Sequence, residues 1–160
     1  MLAGRREDDI SYRGDAKLGI EGIVAAKGVN TFAMSDGSEG ENAVMDLARG
    51  LEMLIDQGNS GERALVLSTD LYAKLHRIQP GTGIMEVDRV RSLVGKMFHT
   101  SRLEKNTACL VYNEPQNMDL VIGQDMITAY MGNENPDDLF RVLETAMPLI
   151  NPGADIAVIC

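Results

Sequence analysis

Apolar residues recur at helical spacing through the first part of the chain and collect into short runs after Lys96, and this change of period restricts the chain to an α+β fold. The clearest helix runs from about Glu41 to Gln57. Val44, Leu47, Ala48, Leu51, Leu54 and Ile55 recur along it, Ser38 and Glu41 stand in a capping-box arrangement, and Gly58 follows. Val44, Leu47, Leu51, Leu54 and Ile55 are expected to form its buried side, with Glu41, Asp46, Arg49, Glu52 and Asp56 solvated on the other. Ala64–Leu67 reads as a strand. Leu71, Leu75 and Ile78 read as a helix capped by Ser68–Thr69–Asp70, and Val87, Val90 and Leu93 as a second short helix beyond the loop Gln79–Ile84. After Lys96, strands are expected at Ala108–Tyr112, Leu120–Ile122, Met126–Tyr130, Leu139–Ile150 and Ile156–Ile159. Leu139–Ile150 has apolar residues in both of its alternating sets, which predicts cover on one face and a contact on the other. Near the start, Glu7–Tyr12 reads as the end of a helix. Gly14, Gly19, Gly22 and Gly28 then punctuate a segment suited to a one- to two-turn helix and tight connections.

A chain of 160 residues can bury a single core without staples, and 44% hydrophobic with 24% charged residues excludes the disordered and fibrous classes. The net charge of −9, with no basic cluster beyond Arg5–Arg6, argues against a nucleic-acid groove or an anionic membrane surface as partner. No apolar run approaches the roughly 18–20 residues of a spanning helix, and the first residues lack the apolar core of a signal peptide, so a cytoplasmic location is expected. Cys109 and Cys160 are too few for a disulfide scaffold. Met45 and Met53, on the Glu41–Gln57 helix, read as core gap-fillers.

No catalytic constellation emerges. His76 and His99 lie on different elements, and no Cys or carboxylate stands at a metal-ligand spacing from either, so no metal is expected. Ser68 sits where an N-cap belongs and lacks a nucleophile elbow around it. Gly81–Thr82–Gly83 follows a helix and lacks the Lys–Ser/Thr ending of a phosphate loop. The one enzymatic alternative is a small hydrolase with Ser68 or Cys109 as nucleophile and His76 or His99 as base. Many turns, strands apolar on both faces and no active site suit a chain that works by binding copies of itself or partners.

Five stretches carry a resemblance: EDDISYRGDAKLGIEG (Glu7–Gly22), ALVLSTDLYAKLHRI (Ala64–Ile78), GTGIMEVDRVRSLV (Gly81–Val94), NMDLVIGQDMITAYMG (Asn117–Gly132) and FRVLETAMPLINPGA (Phe140–Ala154). Together they resemble the encapsulin shell proteins, the linocin-like family that builds nanocompartments with the capsid fold of tailed phages. The resemblance implies a non-enzymatic, homo-oligomeric shell subunit. Its cargo would be an enzyme such as a ferritin-like iron-storage protein or a peroxidase, docked through a targeting peptide, and it carries no cofactor over. It also implies a division in which residues 1–25 and 125–160 belong to a peripheral domain and residues 26–124 to an axial domain. Glu7–Tyr12 would end the spine helix, and Leu139–Ile150 and Ile156–Ile159 would be the long peripheral strands. Gln79, Pro80, Gly81, Thr82, Gly83 and Ile84 would line the pore at the fivefold axis. The family's N-terminal helix and arm-like loop precede the position matching Glu7, so the expectation is a shell subunit or a truncated form of one. A phage head protein sharing the fold without cargo is the neighbouring alternative.

Overall fold

Strands β4 (Arg63–Ser68), β6 (Ala108–Tyr112) and β9 (Ile156–Ile159) are apolar at nearly every position, which is the pattern of strands covered on both faces. The computed structural model describes residues 2–35, 40–56, 58, 61–78, 83–151 and 153–160, and places these strands at the centre of a five-stranded sheet. The short strands β3 (Asn30–Phe32) and β5 (Lys96–Thr100) form its edges, giving the order β3-β9-β6-β4-β5. The two edge pairs are parallel and the inner two antiparallel.

Side-chain alternation divides the interior into two cores. Leu65, Leu67, Ala108, Leu110, Tyr112, Ala157 and Ile159 face helices α2 (Gly40–Asp56), α3 (Thr69–Leu75) and α4 (Glu86–Leu93). Val44, Leu47, Leu51 and Leu54 of α2, Leu71 and Leu75 of α3, and Val87 and Val90 of α4 complete that side. Ala64, Val66, Cys109, Val111, Ile156 and Val158 face the other way, against Leu103, Ala154, Ile23, Val24 and Tyr12 near the end of α1 (Leu2–Arg13). Gly50 of α2 lies so close to Phe32 and Ile159 that a Cβ there would press on both, which fixes how the helix approaches the sheet.

Between α1 and the sheet, the expected one- to two-turn helix is replaced by turns and a two-residue ladder, β1 (Gly14–Asp15) with β2 (Ile20–Glu21). Gly14 and Gly22 serve close backbone approach there. A Cβ on Gly22 would collide with the backbone of Arg13 and Gly14.

The long strands differ most from expectation. Leu120–Ile122 and Met126–Tyr130 belong to one strand, β7 (Met118–Glu134), paired antiparallel with β8 (Asp137–Ile150) and irregular between Ile122 and Gln124, Gln124 and Ile127, and Tyr130 and Gly132. The boundary expected between residues 124 and 125 therefore lies inside a continuous strand. Its root is clamped to the sheet: the buried Asn117 donates to the Tyr112 carbonyl (3.2 Å), and Asn151 Nδ2 donates to the Gln116 carbonyl (2.8 Å). Beyond the root the hairpin is bare on both faces rather than covered on one; Leu120, Ile122, Tyr130, Phe140 and Val142 are all exposed. Ile156–Ile159 is not a long strand beside β8 but pairs with β3 and β6 inside the sheet, because all four of its side chains find apolar cover there.

On α2 the predicted face is rotated slightly. Val44, Leu47, Leu51 and Leu54 are buried, whereas Ile55 is 45% exposed. Met45 and Met53 are exposed instead of filling the core. Asp46, expected to be solvated, is buried because it caps the preceding segment: its two oxygens accept from the Ser35 N–H (2.7 Å) and the Ser35 hydroxyl (2.9 Å). Ser38 and the Glu41 side chain, the capping-box pair, lie outside the described residues.

Candidate functional site

The loop singled out by resemblance is framed by two helices whose inner faces are locked into the core. α3 enters it with Leu71 and Leu75 buried, and α4 leaves it with Val87 and Val90 buried. Ile78 falls beyond the end of α3 and is exposed, so the helix is one turn shorter than its spacing predicts. An isolated antiparallel bridge joins Ile78 to Met85 and closes the base of the loop. Gln79, Pro80, Gly81 and Thr82 lie outside the described residues. Gly83 has φ +68° with open space where a Cβ would be, and Ile84 is exposed beside it. Ile78, Ile84 and Met85 thus form an exposed apolar collar at the base, on a rigid pair of anchors.

The hydrolase candidates are placed differently. Cys109 lies in the middle of β6, fully buried, and burial pushes its thiol up to about 12, far from the thiolate that a nucleophile needs. The Ser68 hydroxyl is buried at the end of β4, where it accepts from the Thr107 N–H (3.3 Å) and helps hold the Asp70 carboxylate. Among the described residues neither is hydrogen-bonded to a histidine. His76 and His99 do converge, but on Tyr72: their rings stand 4.4 and 4.3 Å from its ring, and His76 Nδ1 lies 2.8 Å from the Tyr72 carbonyl. The Tyr72–His76 spacing of one helical turn was the only sequence signal for this cluster. Among the described residues no three metal-ligating side chains gather, and no helix is long and apolar enough to cross a membrane.

The second surface of note is the β7–β8 hairpin, whose existence as one bare arm the sequence did not disclose. Near its root a cleft of about 340 Å³ runs between Ser11, Ile23 and Asn113 on one side and Met118, Leu120, Pro148 and Leu149 on the other.

The type 1 encapsulin shell protein EncA of Myxococcus xanthus is 34% identical over 147 residues, which is 91% of this chain and 51% of that protein. The chain thus spans about half the length of that relative. Among solved structures, the fold matches a virus-like particle from Pyrococcus furiosus with TM-score 0.82, at 24% identity over 99% of this chain and 64% of that one. It also matches the capsid of the myovirus phage XM1 with TM-score 0.78, at 12% identity over 99% of this chain and 60% of that one. The fold is therefore of the phage-capsid type. The family model Linocin_M18, described as the encapsulating protein for peroxidase, matches residues 2–147, and this chain belongs to that family.

Proposed function

We propose that this chain acts as a shell subunit, or a large part of one, of a self-assembling compartment that encloses a cargo enzyme in the cytoplasm. The observation that carries the reading is the bare β7–β8 hairpin on a capsid-type body. An arm apolar on both faces is poorly suited to an isolated chain and suited to one whose neighbours cover it. Membership of a family described as encapsulating peroxidase favours an enzyme as cargo over an empty phage head, as does 34% identity to an encapsulin shell protein against 12% to a phage capsid. Docking of that cargo through a targeting peptide forms part of the same proposal.

Within the subunit, the five-stranded sheet with α2, α3 and α4 acts as the axial unit, and α1 with the hairpin as the peripheral one. β9 joins the axial unit through its pairing with β3 and β6. The loop Gln79–Ile84, presented by α3 and α4, lines the opening on the fivefold axis. Particle size decides the matter. Purified protein examined by light scattering and negative-stain microscopy is expected to form particles of many copies, and a monomer persisting at about millimolar concentration would overturn the assembly reading.

A further inference from the structure

One row of side chains crosses the whole five-stranded sheet. Phe32 is paired with Ile159, Ile159 with Ala108, Ala108 with Leu67, and Leu67 with His99, so the register sets these residues side by side from one edge to the other. Ile159, Ala108 and Leu67 are buried beneath the helices, which puts Phe32 and His99 on that same face, at its two flanks. A different helix dresses each end of the row. At the β5 flank, the His99 ring meets Tyr72 of α3, and His76 packs on the same tyrosine one helical turn along (ring centres 4.3 and 4.4 Å). Both histidines are exposed, as is Arg77, which has no ion-pair partner among the described residues. At the β3 flank, the Arg49 guanidinium of α2 lies 5.9 Å from the centre of the Phe32 ring. A groove of about 500 Å³ opens beside it, lined by Ser35, Met45, Asp46, Ala48, Arg49 and Glu52. Met45 is 67% exposed there, and Glu52 is exposed without an ion-pair partner among the described residues.

The two flanks are dressed at the same end of the sheet. β3, β9, β4 and β5 run in one direction and β6 against them. Ser35 follows the end of β3, His99 lies near the end of β5, and α3 leaves from the end of β4. α4 returns from the loop Gln79–Ile84 to the opposite end, where β5 begins with Lys96 beside Ala64. The loop is thus approached from the end at which Tyr72, His76 and His99 stand on one flank and the Met45 groove on the other. The flanks also differ in charge. Helix α2 holds Glu41, Asp46, Glu52 and Asp56 against Arg49, a net charge of −3, whereas residues 69–78 hold Lys74 and Arg77 against Asp70, a net charge of +1 in a chain whose total is −9.

We infer that copies pack side by side around the axis faced by that loop, with Tyr72, His76 and His99 of one copy seated in the Met45–Glu52 groove of the next. The two surfaces differ and occupy opposite flanks of one chain, so the contact is head-to-tail and closes into a ring. A second copy is the occupant because opposite charges face each other, Glu52 meeting Arg77, and because every chain supplies both halves at the end where its loop is presented. Like charges disfavour the alternative pairing of groove with groove. Neighbours turned about a fivefold axis splay far beyond the ~20–25° between hydrogen-bonded strands, so side chains rather than a shared ladder make the contact. The exposed Met45 thioether then packs on the rings of the aromatic cluster. The inference rests on the assembly and the loop placement proposed above, and names the contact that forms the ring.

Two measurements on the full chain test it. Cys160→Ser removes the exposed native thiol, and in that background Met45→Cys with His76→Cys places one thiol on each flank. Mild oxidation of the assembled protein should give a ladder of covalent species ending at the pentamer, and either new thiol alone should leave monomer. The second measurement is a charge exchange read by sedimentation. Glu52→Lys alone or Arg77→Glu alone should raise the concentration for half-association about tenfold. Both substitutions in one chain should bring it back to the wild-type value, because every contact in the ring then carries the same pair reversed. Positions 45, 52, 76 and 77 are all exposed, and circular dichroism verifies that each variant keeps the fold. Particles that form without a ladder, a ladder that stops at the dimer, or a charge exchange without rescue would overturn the inference and leave the shell proposal standing. A wild-type chain that stays monomeric would overturn both.

Discussion

Leu54 and Ile55 are neighbours in sequence and opposites in environment, with Leu54 fully buried under the sheet and Ile55 45% exposed. Leu54→Ala should cost about 2–5 kcal/mol in urea unfolding, and Ile55→Ala under ~1 kcal/mol, since only the first leaves a cavity. Equal costs would contradict the placement. The sequence located this face through the spacing of Val44, Leu47, Leu51 and Leu54, yet Ile55 lies at the edge of that stripe, where composition alone does not separate core from surface. Asp46 was illegible for a different reason: its partner, Ser35, belongs to the segment ahead of the helix, and no local pattern announces that pairing. Asp70 gives a pH-dependent counterpart. Partial burial works to raise its carboxyl, but the Ser68 hydroxyl and the Asn106 N–H (3.0 Å), with Lys74 nearby, outweigh it and hold the carboxyl below its usual range. A depressed folded pKa contributes stability that is present above the unfolded value of about 4 and lost as pH falls through the folded value. Asp70→Asn should therefore be less stable than wild type at pH 7, and the difference should narrow on acidification toward pH 3. A difference that stays constant over that range would show that the charge is not what stabilises the loop.

At the level of elements, legibility followed burial. β4, β6 and β9 are recognisable because strands covered on both faces must be continuously apolar, and the helices α3 and α4 because Leu71, Leu75, Val87 and Val90 keep a helical period. β5, with Lys96, His99 and Thr100 on an open edge, has no such run, and β3 is three residues long; neither could be read from pattern. β9 was legible as a strand but not in its partnership, since pairing between Ile156–Ile159 and Asn30–Phe32 joins parts of the chain far apart in sequence. The hairpin misled because mixed apolar character on both alternating sets looks the same whether a strand is buried or bare. Its bareness has a direct consequence. The unassociated chain at low concentration should bind a hydrophobic dye, and Phe140→Ser with Val142→Ser should reduce the dye signal with little change in unfolding midpoint, because neither side chain belongs to the core. A dye-silent wild-type monomer would mean that the hairpin folds back over its own apolar surface.

For the whole molecule, the capsid-type body was reachable only through the resemblance of extended stretches, since no composition or short motif distinguishes a shell subunit from another α+β domain. The same holds for the loop Gln79–Ile84, which by its residues alone is a connector between two helices. As the proposed pore lining it has a testable chemistry. Gln79, Pro80, Gly81, Thr82 and Gly83 carry no charge, so a ring of these loops presents backbone groups and small polar side chains, and passage should be governed by aperture more than by ion sign. The Ile78–Met85 bridge closes the base on anchors buried through Leu75 and Val87, so the loop can be shortened beyond that bridge without disturbing the core. Deleting Gly81–Gly83 in assembled particles should widen the opening, raise entry of a bulky dye severalfold and leave entry of a small cation little changed. Replacing Thr82 by Glu in the intact loop adds a negative ring and should favour cations over anions of equal size, an effect that fades at high salt. Particles that assemble normally yet show unchanged entry of every solute in both variants would remove the loop from the path and place the limiting aperture elsewhere in the shell.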